Sequence, residues 1–378
     1  MKFIDANGEK YSPSRWLTFN DVLLRPHKSR FNSRNDNSIS MRTRVCDDFY
    51  IDTPLISANM DTVTGEDMAV TMSIFGGLGI LHRFYKSKEE YILAIKNTKS
   101  RSSHWKGSVH PVLAFSVGCG DKWIDFVKEV TNTLELNRFI ICVDVAHGHM
   151  EQSLQTVESF YSLKQEFKSN NINMGIVAGN VATPEGAYDL VMSGAGGIKV
   201  GVGGGSMCST RIVTGHGVSQ LSAIMQAREI IDKIDFDNDL SACIIADGGI
   251  RYSGDIVKAV SAGADTVMLG NMLAGTSCSA GDLLSLPDGS KRKIYRGQSS
   301  RNFLNDVGKK DVAAEGICLE IPFKGETEDV LKEIVGGIRS GMTYSGAGSF
   351  EELREVAEFI EISHNSWIES TPHASLNM

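Results

Sequence analysis

Eight short apolar runs, each ending in small or polar residues, set the rhythm of this chain and narrow its fold more than any other feature. They occupy residues 54–60, 77–82, 111–117, 139–145, 174–180, 197–203, 242–249 and 266–271. Consecutive apolar positions over such short lengths suit strands buried on both faces, not strands with one wet face. Helix-like stretches separate most of them, at 121–136, 152–167, 184–192, 218–234 and 253–261. Thr183-Pro184 supplies an N-cap and first-turn proline for one of these. Eight such alternations predict an α/β chain folded as a (β/α)8 TIM barrel in preference to a doubly wound sheet. An internal echo agrees, since Ser193-Gly-Ala-Gly-Gly-Ile-Lys-Val-Gly201 parallels Ser261-Ala-Gly-Ala-Asp-Thr-Val-Met-Leu-Gly270. The 378 residues are read as one catalytic barrel domain.

Two stretches depart from the rhythm. Residues 27–50 are polar and charged and read as a surface β excursion after Pro26. About 80 residues then separate the eighth run from a last helix expected over 350–362, far beyond an ordinary connection. This flap region, about 276–345, follows the C-terminal end of a barrel strand, where lids close over substrates.

The chemistry concentrates in Gly201-Val-Gly-Gly-Gly-Ser-Met-Cys208. Successive glycines let backbone N–H groups converge on an anion, and a thiol at the mouth of such a loop is accessible. A phosphate-gripping loop beside a nucleophile suggests covalent chemistry on a phosphorylated small molecule. Asp247-Gly-Gly249 and Gly270-Asn271 add two more glycine turns after the seventh and eighth runs, where barrels commonly bind phosphate. Asp247 would repel a phosphate and suits ribose hydroxyls instead, so the combination points to a nucleotide.

A net charge of −8 gives no sign of a nucleic-acid or anionic-membrane partner. Seven cysteines, odd in number and without a C-x-x-C pair, suit a reducing compartment more than a disulfide framework or zinc site. His147 and His149 lack an evident third metal ligand. No apolar stretch reaches 18 residues and the N-terminus shows no leader pattern, so a cytoplasmic location is expected.

Several motifs together resemble the IMP dehydrogenase / GMP reductase family, nearly end to end and in order. They are Leu17-Thr-Phe-Asn-Asp-Val-Leu-Leu24, Ala58-Asn-Met-Asp-Thr-Val63, the Gly-Ser-Met-Cys-Ser-Thr-Arg loop, Ala-Asp-Gly-Gly249, Leu-Gly-Asn-Met-Leu-Ala-Gly and Ile-Pro-Phe-Lys-Gly325. The resemblance implies a homotetrameric barrel in which Cys208 attacks C2 of a purine mononucleotide. It further implies a phosphate site at Ser206, Gly248, Gly249, Gly270 and Asn271, ribose contacts from Asp247, and substrate contacts from Met60, Gly297, Gln298 and Ser299. Dehydrogenases of the family bind a monovalent cation such as K+ at carbonyls matching Gly203, Gly205 and Cys208, although Gly204 replaces the usual proline here.

The reductase branch, which converts GMP to IMP and ammonia with NADPH, is the better match. Dehydrogenases usually carry an Arg-Tyr pair on the flap as a water base, and none occurs between Gly297 and Glu315. Asp144-Val-Ala-His-Gly148, Thr343-Tyr-Ser-Gly-Ala347 and His82-Arg-Phe-Tyr85 lean the same way. On this reading Thr210 and Glu315 relay a proton to the departing amine, while Asp144, with Cys119 and Asn180, serves the cofactor step. Arg83 stands where reductases have a catalytic lysine, Cys119 for a threonine, Gln298 for a methionine and Val312 for an arginine. The regulatory repeats often inserted between strands two and three are missing, since 83–110 is too short to hold them. Two alternatives stay open: an IMP dehydrogenase with a divergent flap using NAD, and a catalytically silent nucleotide-binding homologue.

Overall fold

A computed structural model describes residues 2–102, 111–238, 240–309 and 311–372 of the chain. Residues 103–110, part of the short connection after Arg83, lie outside the described residues. Its central feature is a closed barrel of strands β1 (Leu55–Ser57), β2 (Leu78–Leu81), β3 (Leu113–Val117), β4 (Arg138–Asp144), β5 (Asn173–Val181), β6 (Gly197–Val200), β7 (Cys243–Asp247) and β8 (Thr266–Leu269). Every neighbouring pair is parallel, and Met268 of β8 sits opposite Ile56 of β1 to complete the circle. Each expected run overlaps one strand. The small and polar residues that ended several of those runs, such as Asn59, His82 and Gly248, leave the strands and form the rim at their C-terminal ends.

Period-two alternation decides what faces inward. Ile56, Ile80, Ala114, Ile140, Cys142, Val177, Ile245 and Met268 form one apolar cluster inside the barrel. The excursion at 27–50 closes the opposite end: strands Thr43–Cys46 and Phe49–Ile51 pair as a hairpin. Its Val45, Cys46 and Phe49 join that inner cluster. One step further along the same inward faces come Asp144 after Cys142 and Asp247 after Ile245, with Lys199 on β6 in register with Ile245. A polar layer therefore tops the apolar one. Gly179 makes room for it, because a Cβ there would lie 2.6 Å from the Lys199 Cβ.

Helices α1 (Glu66–Ile74), α2 (Lys88–Ser102), α3 (Asp121–Thr133), α4 (Glu151–Ser169), α5 (Pro184–Met192), α6 (Thr210–Thr214), α7 (Gln220–Asn238) and α8 (Ser253–Ser261) connect the strands. The segment after β8 contains a finger, the antiparallel sheet of Leu283–Ser285, Lys291–Arg296 and Cys318–Pro322, with α9 (Arg301–Asp306) beside it. Arg296 ties the finger to the barrel through Asp61, 2.6 Å away in the loop after β1.

Two expectations need correcting. The flap region ends in α10 (Thr327–Ser345), a barrel helix packed on α8. Its Gly337 and Gly341 permit that approach: a Cβ at either would lie 2.1 Å from Ser253 Oγ or 2.6 Å from Val257 Cγ2. The helix expected over 350–362 is α11 (Phe350–Val356) followed by a strand, Glu358–Glu361. That strand pairs with Lys2–Ile4 and Val22–Leu24, and Phe3 stacks on Phe359 with ring centroids 5.3 Å apart. Pairing with distant segments, invisible to a local periodicity, overrides the helical pattern there.

Candidate active site

A cavity of about 660 Å³ opens at the C-terminal ends of the strands and is roofed by the finger. Cys208 lies on the loop between β6 and α6 and is solvent-exposed. Its thiol donates to Thr210 Oγ1 at 3.1 Å, and Thr210 Oγ1 donates to Glu315 Oε2 at 2.8 Å. The backbone fixes the same three residues: Ser209 N donates to Glu315 O at 2.8 Å and Ile317 N to Met207 O at 3.0 Å. Glu315 N in turn donates to Ser299 O at 3.0 Å. A flap residue distant in sequence is thus bound to the Cys208 loop, giving a thiol, a hydroxyl and a carboxylate in one hydrogen-bonded chain.

Below the thiol lies the polar layer. Lys199 Nζ contacts Asp144 Oδ1 at 2.5 Å and Asp247 Oδ2 at 3.5 Å, and the lysine is only 2 % exposed. Burial pushes the Asp144 carboxyl upward, but the Lys199 ammonium outweighs it and holds the group below the ordinary carboxylate range. Asn180 Nδ2 bridges Gly201 O and Asp247 Oδ2, both at 2.9 Å. Arg83 leans across from the end of β2, its Nη2 donating to Asp144 O at 3.3 Å and its guanidinium 4.5 Å from the Phe84 ring centroid. The buried Arg83 Nε has no partner. His82 beside it stays neutral, because burial lowers its pKa to about 4.

At the glycine-loop end, Tyr295 presents its hydroxyl 3.2 Å from Ser206 Oγ. Burial raises this phenol to about 12, so it remains a hydrogen-bond donor. Gly248 (φ +101) packs its Cα side against Gly204 and Gly205, bringing two glycine turns together. Ser206, Gly248 and Tyr295 all line the cavity, so two hydroxyls and a glycine turn meet at this end.

Of the residues singled out by sequence, Met60, Arg83, Asp144, Asn180, Gly203, Gly205, Ser206, Cys208, Thr210, Asp247, Gly248, Gly297, Gln298, Ser299 and Glu315 line this one cavity. Gln298 Nε2 donates to Asn59 O at 2.6 Å, which fixes its loop. Gly249, Gly270, Asn271 and Cys119 are outside the lining. Gly270 borders it, since a Cβ there would stand 2.9 Å from Tyr295 Oη and 3.5 Å from Met60 Sδ. Asn271 O accepts from Lys324, and Cys119 lies two residues beyond β3. Lys199 and Tyr295 were not singled out by sequence; Lys199 reads as an ordinary strand residue until the barrel closes, and Tyr295 until the finger folds over the Ser206 loop.

The sequence model of the IMP dehydrogenase / GMP reductase domain matches residues 16–373. The chain belongs to that family. Its relatives include the inosine-5'-monophosphate dehydrogenase of Borreliella burgdorferi, 34 % identical over 94 % of this chain and 96 % of that protein. GMP reductase 2 of Homo sapiens is 37 % identical over 92 % of this chain and 94 % of that protein. Among solved structures, a variant GMP reductase from Trypanosoma brucei in complex with guanosine 5'-monophosphate superposes with a TM-score of 0.82 at 27 % identity. That superposition covers 96 % of this chain and 98 % of the other. Membership in the IMP dehydrogenase / GMP reductase family makes the chain an oxidoreductase barrel of purine metabolism. Relatives carry both names, those of two different reactions at C2 of a purine nucleotide.

Proposed function

We propose that the protein converts GMP to IMP and ammonia with NADPH, through a covalent adduct between Cys208 Sγ and C2 of the purine. The observation that carries this reading is the make-up of the flap wall. Among the described residues, its lining members are Tyr295, Gly297, Gln298, Ser299, Phe303, Leu304, Val307, Lys309, Val312, Glu315 and Gly316. Hydrolysis of the adduct would need a base of its own to activate water. Tyr295 is occupied at Ser206 and stays protonated, while the flap's Glu315 carboxylate is joined through Thr210 to the Cys208 thiol. One relay suffices to release an amine.

In this reading Ser206, Gly248 and Tyr295 hold the 5'-phosphate and Asp247 accepts from the ribose hydroxyls. As the S–C2 bond forms, the thiol proton passes through Thr210 to Glu315 and on to the amino nitrogen. The C2–N bond breaks and ammonia leaves. NADPH, when bound, supplies a hydride to C2. The S–C2 bond then breaks, IMP departs and the sulfur regains a proton from solvent. The residues at the cavity's other end fit an anionic dinucleotide: Arg83 Nε is unpartnered, and Lys122 and Lys309 line the wall. Asp144 and Asn180 would orient its reactive end. A monovalent cation has no step here. The Arg211 guanidinium, donating to Val202 O and Val218 O, already brings positive charge to the Gly203–Gly205 loop. We also carry forward a homotetramer, testable by light scattering, and a cytoplasmic location, testable by fractionation.

Purified protein with GMP and NADPH should lose absorbance at the reduced-nicotinamide band and release ammonia. The second reading, oxidation of IMP with NAD, is favoured by Arg83 standing where reductases have lysine, and activity with IMP and NAD alone would establish it instead.

A further inference from the structure

Lys199 is buried, charged and unused by the proton relay. Its Nζ touches two carboxylates at once, Asp144 at 2.5 Å and Asp247 at 3.5 Å, so those oxygens are no farther apart than the sum of these distances. Three strands supply the cluster: β4 brings Asp144 and Cys142, β6 brings Lys199 and β7 brings Asp247. Arg83 adds a further positive charge through the Asp144 carbonyl, and the Asn59 side chain also favours the ionised Asp144 carboxylate. The Cys142 thiol is pushed up to about 12 by burial and contributes none.

We propose that Lys199 is a positioning residue that keeps Asp144 and Asp247 ionised together and at fixed spacing, coupling the cofactor end of the cavity to the ribose end. The geometry supports this over a purely structural role. A lysine placed only for packing would not need two acceptors that both line the cavity. Two carboxylates within that bound repel each other, and without a cation between them ionising the second is disfavoured, so one of them keeps its proton to higher pH. Asp144, the more buried, would keep it and cease to be an acceptor for a cofactor or departing amine. Asn180, bonded to Asp247 Oδ2, holds the far carboxylate against the lysine.

This rests on the reading of the cavity as a purine-nucleotide site, and its test has a readout independent of turnover. Infrared difference spectra of the protein between pH 6 and pH 8.5 report protonated carboxyl groups directly. The wild type should show no such band from this site, Lys199→Met should show one at pH 6, and Lys199→Met/Asp144→Asn should lose it. Turnover should follow: at least a tenfold fall in kcat/KM from pH 8.5 to pH 6 in Lys199→Met, against less than threefold in the wild type. Lys199→Arg, which keeps the charge, should restore the flatter profile. Should Lys199→Met fail to fold, Asp247→Asn carries the test, because it leaves Lys199 wholly to Asp144 and should move the Asp144 titration to lower pH. A Lys199→Met protein without a titrating carboxyl band, or an Asp247→Asn shift to higher pH, would overturn the proposal. Wild-type protein inactive on GMP but normal in these spectra would count against the proposed reaction alone.

Discussion

Replacing Glu315 by glutamine isolates the proton relay from the architecture around it. The side chains have nearly the same shape, and the backbone contacts of residue 315, Ser209 N to its carbonyl and its own N–H to Ser299 O, do not involve the carboxylate. The flap should therefore stay docked. What disappears is the acceptor 2.8 Å from Thr210 Oγ1, and with it, on the proposed mechanism, the path of the thiol proton to the departing amine. General acid–base catalysis by one positioned group is worth about 10²–10⁴-fold. The two-step path through Thr210 places Glu315 one hydroxyl away from the reacting atoms, so a loss of about 10²–10³-fold in kcat is expected, roughly 3–4 kcal/mol. Nucleotide affinity should change little, because on the proposed reading Ser206, Gly248, Tyr295 and Asp247 hold the nucleotide. Stopped-flow absorbance with GMP and NADPH gives kcat, and calorimetry gives the Kd for GMP. A kcat within threefold of wild type would refute the relay. A kcat loss matched by an equal loss of affinity would show that Glu315 acts only by holding the flap.

Cys208→Ala should abolish turnover and still bind GMP; surviving turnover would exclude the covalent route. Tyr295→Phe removes the hydroxyl beside Ser206 and should weaken nucleotide binding by about 1 kcal/mol, roughly fivefold, measured by calorimetry. Gly341→Leu forces a side chain into Val257 at the α8–α10 contact and should lower the unfolding free energy by about 1–3 kcal/mol in denaturant melts, or prevent folding. Because Lys199 depresses the folded-state pKa of Asp144, that pair stabilises the protein above the ordinary carboxylate value of about 3.9 and is lost as pH falls through the lower folded value. The destabilisation caused by Asp144→Asn should accordingly shrink as melts are taken from pH 7 toward pH 3, and a constant penalty would contradict the pairing.

What sequence could and could not disclose follows from how each feature is encoded. The eight strands were legible because residues buried on both faces leave unbroken apolar runs, and no other short element needs them. Cys208 was legible because glycines and small hydroxyl residues around a thiol have few structural uses. Lys199 was not, since one lysine in Gly-Ile-Lys-Val reads as an interruption until barrel closure brings Asp144 and Asp247 to it. Helix α10 was hidden by Gly336, Gly337 and Gly341, residues poor in helix propensity, two of which the packing on α8 requires. The strand Glu358–Glu361 was masked by the helix before it, and only its partners Lys2–Ile4 and Val22–Leu24, more than 330 residues away in sequence, define it. Glu315 could be placed beside Thr210 only through family resemblance, because 105 residues separate them.

The central claim is that the Cys208 sulfur adds to C2 of a purine whose phosphate is held at Ser206, Gly248 and Tyr295. A crystal structure of the Cys208→Ser protein with GMP measures it most directly. The account predicts the phosphate in that cradle and the serine oxygen about 3–3.5 Å from C2, the reach of a near-attack geometry. A base seated elsewhere in the cavity, with C2 well beyond that reach of residue 208, would contradict it.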